Sequence, residues 1–314
     1  MRNIDIQTVG AGLLAACTIG ALFAPAISSL LAPNALNALF LVVVLSLISL
    51  VEGSKSNLLL MDKRTWIIVA WQQLVLPSIV LAIAILAEIP NKTASLMIVT
   101  ACAGSLFASP MLAGLLDLNR RRALQAMILS TLVMPATLYM FLTVLNGDHA
   151  ELDLYEYVRH GTIYLAIPIA ILWIYAFLVR FLRPTVVSVI AEGSRWGSLV
   201  ALLVFVVGIM EPVSQHLHTN LNLIVFYLSI VSALSIGMYL LTVIVMYRFG
   251  IREAMTAGVL SGFRNVGLCF ALVGDMLGPE LALYVGLSMI PVAVAPAAIR
   301  LMVGGSENAE LETA

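Results

Sequence analysis

The sequence predicts an all-α polytopic membrane protein: ten transmembrane helices in two inverted five-helix repeats, with helices 4 and 9 broken. Three observations carry this. Of the 314 residues, 61% are hydrophobic and 11% charged, the mean hydropathy is +1.05, and apolar runs of about 20 residues, long enough to cross roughly 30 Å of hydrocarbon, recur along the chain. Two of these runs are interrupted by small and helix-breaking residues. The chain also matches itself at a displacement of 156 positions. Continuous apolar runs, rather than alternation every second residue, exclude a β-barrel. The formal net charge of -1 and the lack of a basic patch leave nothing for nucleic acid to meet.

The elements follow in order. Val9 to Leu31 reads as helix 1 rather than a cleaved signal, because its only basic flank is Arg2 and its removal would spoil the helix count. It is expected to turn at Pro33 and Asn34 into helix 2, Ala35 to Val51. Helix 3, Trp66 to Ala87, holds Gln72, Gln73 and Pro77, and a proline inside a membrane helix frees a carbonyl that a neighbour must satisfy. Helix 4, Thr93 to Leu116, contains ACAGSLFASPML, with Ser105, Ser109 and Pro110 in the expected break. Arg120, Arg121 and Arg122 open helix 5, which continues through Ser130, Thr131 and Pro135 to Leu145. An acidic loop from Asp148 to Arg159 separates the halves, giving units 1–147 and 148–314. Helix 6 is placed at Thr162 to Leu182, helix 7 at Trp196 to Val213, helix 8 at Leu221 to Tyr247, helix 9 at Glu253 to Leu277 and helix 10 at Leu281 to Val303. With both termini cytoplasmic, only Lys92 and Arg159 among the 16 Lys and Arg lie outside and only Arg264 lies in the membrane, which orients the chain in a cell inner membrane.

The self-match pairs Thr100 with Thr256, Ser105 with Ser261, Phe107 with Phe263 and Pro135 with Pro291, among eight identities without a gap. Five crossings per half is an odd number, so the second half must enter the membrane inverted. Two inverted halves can exchange conformations around a midplane site built by broken helices, which is the architecture of a secondary transporter. Cys17, Cys102 and Cys269 lie in apolar runs without CxxC spacing and read as small core residues, so no metal or cofactor is expected. His216 and His218 read as residues of a solvated loop. Neither HExxH nor GxSxG occurs, which argues against an intramembrane enzyme.

The ten-helix repeat, the helix 4 break followed by LSTLVMP at 129–135, and GFRNVGLCFAL at 262–272 together resemble the bile acid:sodium symporter family, within the bile/arsenite/riboflavin transporter superfamily. The resemblance covers nearly the whole chain. It implies that helices 4 and 9 cross where they unwind, within a core of helices 3–5 and 8–10, and that helices 1, 2, 6 and 7 form a panel that moves against the core. The family's sodium ligands carry over only in part. Gln72 five residues before Pro77 and Thr131 in helix 5 match, whereas Ser109 is followed by Pro110 instead of Asn, a helix 5 hydroxyl falls on Met127, and the helix 9 pattern of Glu and Gln-Asn holds Leu260, Arg264 and Asn265. A hard cation needs about five or six oxygen donors, which Leu, Pro and Met side chains do not supply.

Arg264 therefore brings a fixed positive charge where related transporters hold a mobile one. Three readings stay open: it bonds carbonyls at the helix 4 break and Gln72 as a stand-in for sodium, it faces a cavity and binds an anionic substrate, or it belongs to an ordinary helix end. The nearest acids, Glu253 and Asp275, are each 11 residues away along the chain. The expectation is a secondary transporter of a small organic anion in a lipid membrane, without conventional sodium coupling. Arg264, Asn265, Ser109, Ser105, Thr131, Gln72 and Ser261 form its site. Sodium symport through altered ligands, or a non-transporting sensor or scaffold, is the alternative.

Overall fold

Every regular element among the described residues of this computed structural model is helical; these are residues 6–52, 62–107, 109–116, 118–147, 153–217, 219–292 and 294. Six of the helical stretches are long and apolar enough to cross a membrane: Pro25–Ser49, Lys63–Leu86, Arg120–Asn146, Leu154–Phe181, Pro184–Leu217 and Leu221–Phe249. The chain is an all-α protein with the helices of a membrane protein.

The first helix, α1 (Ile6–Phe23), stops before Ala24, and α2 (Pro25–Leu31) continues through a 3-10 turn at Ala32–Asn34 into α3 (Ala35–Glu52). The interruption expected at Pro33 thus falls at Ala24. A residue before proline is pushed out of the helical region, and Ala24 has φ -123 and ψ 62. Pro33 sits in the first residues of the 3-10 turn, where its missing N–H removes no bond.

Helix 3 is α4 (Lys63–Ala70), a π turn at Trp71–Val75, and α5 (Leu76–Leu86). The broken pair follow the expected pattern. In the first, α6 (Asn91–Cys102) gives way to α7 (Ser109–Leu115), and α8 (Arg120–Asn146) follows, capped by the Asn119 side chain, which accepts the Arg122 N–H at 3.1 Å.

Beyond the half-way point two boundaries move. The acidic loop is shorter than expected, because α9 (Leu154–Gly161) already forms, capped by Asp153, and Glu156 and Arg159 pair along it at 2.8 Å. A π turn at Thr162–Ala166 leads into α10 (Ile167–Leu178). Helix 7 starts well before Trp196: α11 runs Pro184–Ile209, with Pro184 in its first turn, and α12 is Glu211–Leu217. Glu192 and Arg195 do not end α11, since they pair with each other at 3.4 Å on an exposed face. The remaining helices are α13 (Leu221–Met246), α14 (Ile251–Gly262), α15 (Val266–Leu277) and α16 (Pro279–Val292). The part of expected helix 10 beyond residue 294 lies outside the described residues, as do Arg2, Lys55, His218 and Arg300.

The helices pack in two sets. In one, α3 lies along α11, with α2 and α10 beside them; in the other, α13 lies along α14, and α6 and α7 both pack on α8. The α13–α14 contact is close because Gly258 and Gly262 face it. A Cβ at these positions would fall 2.5 Å from Val243 Cγ2 and 2.8 Å from Tyr239 Cβ. These two glycines form a small-residue packing face. Both α6 and α14 have 12 residues, and Asn91 to Ile251 and Cys102 to Gly262 are each 160 positions apart, whereas Ser109 to Val266 is 157. The second break is the shorter, so one ungapped displacement cannot hold on both sides of it. The self-match at 156 is one residue out of register after the break and about one helical turn off before it.

Candidate functional site

The two breaks lie against each other. Leu106 donates its N–H to the Phe263 carbonyl at 3.0 Å, Asn265 donates to the Gly104 carbonyl at 2.8 Å, and Ser105 and Arg264 form an isolated antiparallel bridge. Gly104 allows a close approach there, since a Cβ would meet the Thr131 Oγ1 at 3.1 Å and the Thr131 backbone at 3.2 and 3.3 Å. Helix 5 therefore backs the junction directly.

Arg264 is 2% exposed. Its guanidinium donates from Nε to the Ser261 carbonyl at 2.8 Å, from one terminal nitrogen to the Ala103 carbonyl at 2.7 Å, and from the other to the Gln72 carbonyl at 3.2 Å. Each carbonyl is free for a definable reason. Ser261 would bond the Asn265 N–H in a continuous helix, but that N–H goes to Gly104. Ala103 follows the last residue of α6, so its helical partner is gone. Gln72 lies in the π turn, where the Leu76 N–H bonds the Trp71 carbonyl, and the next N–H along the chain would belong to Pro77, which has none. One arginine thus gathers the open carbonyls of three helix interruptions, and five N–H groups in a rigid fork suit it to that task.

Side chains complete the junction. Gln72 donates from Nε2 to Ser261 Oγ at 3.3 Å, and its Oε1 accepts from Ser105 Oγ at 3.3 Å, so it bridges the two serines that the self-match pairs. Ser105 Oγ is also 3.1 Å from the Leu260 carbonyl, and its N–H bonds Ser130 Oγ at 3.1 Å. Ser130 lies 3.1 Å from the Met127 carbonyl in its own helix. Gln73 reaches the Ala103 carbonyl at 3.4 Å and accepts from Thr137 Oγ1 at 2.8 Å. Asn265 Oδ1 caps α15 through the Leu268 N–H at 3.3 Å.

Among the described residues, three polar atoms at the junction are buried with no hydrogen-bond partner: Ser109 Oγ, Thr131 Oγ1 and Asn265 Nδ2. Each can donate. Thr131 and Asn265 both touch Gly104, one by packing and one by its backbone bond. Ser109 donates its N–H to the Leu106 carbonyl at 2.9 Å, one turn from the bridge. From the other packing set, Phe205 of α11 presses on Gly267, where a Cβ would fall 2.6 Å from the ring. Nothing in the sequence marks that contact.

At its two ends the set around the junction is tied by ion pairs. Arg122 at the start of α8 pairs with Glu253 at the start of α14 and with Asp62 at 3.1 Å, and Asn119 Nδ2 donates to Glu253 at 3.0 Å. At the opposite end Lys92 near the start of α6 pairs with Glu280 at the start of α16 at 2.6 Å, and the Tyr227 hydroxyl donates to Glu280 at 2.7 Å. Glu253 is therefore committed to Arg122 and not to Arg264. The Asp275 side chain lies outside what the structure describes. Cys102 and Cys269 are buried thiols in the core. His216 bonds the Pro212 carbonyl of its own helix at 2.8 Å, and no metal-binding group of His, Cys, Asp or Glu occurs among the described residues.

No family model and no curated protein sequence matches the chain.

Proposed function

We propose that the protein is a secondary transporter of a small organic anion, working by alternating access between two inverted repeats, in which Arg264 holds the crossing of the broken helices in place of a coupling cation. The observation that carries this reading is the guanidinium bonded to three backbone carbonyls of three interrupted helices. Carbonyls left open at helix breaks are what a sodium ion would collect. Here a charge fixed to the chain collects them, and it stays protonated throughout any transport cycle.

The unpartnered groups support an anion as cargo. Ser109, Thr131 and Asn265 offer two hydroxyls and an amide N–H, all donors, with no carboxylate from the described residues among them. The recurrence of 12-residue half-helices 160 positions apart and the pairing of Ser105 with Ser261 through Gln72 support the inverted repeat. The separation into an α3–α11 set and an α13–α14 set, meeting at Phe205 and Gly267 beside the junction, supports a panel sliding on a core. That resemblance to the bile acid:sodium symporters extends to architecture, and the sodium dependence does not follow it.

The test is uptake of labelled organic anions into proteoliposomes. Uptake that is the same in sodium, potassium and choline buffers, and lost in Ser109→Ala/Thr131→Val, is the expected result. Uptake that requires a sodium gradient would favour symport through altered ligands, and no uptake of any anion would favour a sensor or scaffold.

A further inference from the structure

The end of the molecule that carries Arg122 and Glu253 also carries two arginines without a carboxylate. Arg64, in the first turn of α4, and Arg248, at the end of the span closed by Phe249, both lie over the Phe249 ring, with guanidinium carbons 6.0 and 4.8 Å from its centroid. Both are exposed, and neither forms a salt bridge with any described residue. At this end Asp62 and Glu253 are held by Arg122, and Glu253 by Asn119 as well. Arg64 and Phe249 line a small crevice together with Ile68, Met246, Glu253 and Ala257. Trp66 and Tyr247 beside it are 53% and 64% exposed, as interfacial aromatics are where a membrane helix meets the headgroups.

The geometry points to a binding site for an anionic phospholipid, whose phosphodiester is gripped by Arg64 and Arg248 above Phe249. Two guanidiniums parked over one ring are preorganised and uncompensated, and basic pockets between transmembrane helices take phosphate headgroups. The apolar edge needed by the acyl chains is present in Ile67 and Ile251, both exposed at this end. A free phosphate would use the arginines but not that edge, so the lipid is the occupant. Phe249 closes the turn at Tyr247–Phe249, and Gly250, with φ +99, leads directly into α14. A lipid bound there anchors the first half of broken helix 9 to the bilayer. The inference stands independently of the transport reading.

The test is thermal unfolding of the full-length protein in micelles doped with phosphatidylglycerol, phosphatidylcholine, or phosphatidylcholine plus inorganic phosphate. Wild type, R64Q/R248Q and, as a control, R180Q/R183Q are compared; the control residues are exposed arginines elsewhere. Phosphatidylglycerol should raise the wild-type midpoint above phosphatidylcholine. At about five-fold per arginine, its half-saturating concentration should rise on the order of 25-fold in R64Q/R248Q and stay within two-fold in R180Q/R183Q. No rise in wild type, an unchanged response in R64Q/R248Q, an equal loss in the control, or an equal rise from inorganic phosphate would each overturn the site.

Discussion

Arg264 is the residue on which the junction depends, and its removal has a calculable consequence. Arg264→Ala leaves the Ser261 and Gln72 carbonyls buried without donors and the Ala103 carbonyl with only the long bond from Gln73, at about 1 to 3 kcal/mol for each lost partner. The variant should lose about 3 kcal/mol or more, read as a fall in the denaturation midpoint in detergent. Arg264→Lys should fall by less, because an ammonium keeps the charge and three donors but not the fork that spans three carbonyls. If Arg264 instead served only the cargo, Arg264→Ala would leave unliganded stability unchanged. The sequence showed where this charge lies, since one arginine amid apolar residues is conspicuous, and the proline five residues after Gln72 pointed to a freed carbonyl. It could not show the Ala103 and Ser261 partners, because backbone carbonyls carry no side-chain signature. Ser109 and Thr131 were legible as polar residues in apolar helices, but their lack of a partner is a property of packing alone.

Among elements, the breaks were legible and several boundaries were not. Small residues and Pro110 announced the gap between α6 and α7. The early starts of α9 and α11 were hidden because charged residues that read as loop can line an exposed helical face, as Glu192 and Arg195 do. The spacing of four between Gly258 and Gly262 places both on the face toward α13. Gly262→Ala brings a methyl group 2.8 Å from Tyr239 Cβ and 3.0 Å from the Ser235 carbonyl, and should destabilise by about 1 to 3 kcal/mol. Gly237→Ala, with nothing within 4 Å, should be neutral or slightly stabilising in the same denaturation assay. The Arg122–Glu253 pair joins α8 to α14 with side chains 13% and 19% exposed. A double-mutant cycle on Arg122→Ala and Glu253→Ala should therefore show coupling of about 1 to 3 kcal/mol, against near zero for the exposed pair Glu192 and Arg195.

For the whole molecule, a membrane protein was evident from composition, while the ungapped self-match holds only because the two breaks differ by few residues. The contact of Phe205 with Gly267 was beyond reach of the sequence, since it joins the two packing sets and nothing in the sequence marks Phe205 as the partner of that glycine. In the proposed function the crossing is complete without an added cation, and one comparison bears on it most directly: the unfolding midpoint of the purified protein as sodium replaces potassium at constant ionic strength, in wild type and in Arg264→Ala. The wild type should be indifferent to the exchange while Arg264→Ala starts lower. A sodium-specific rise in the wild-type midpoint would contradict the claim that Arg264 has taken the cation's place.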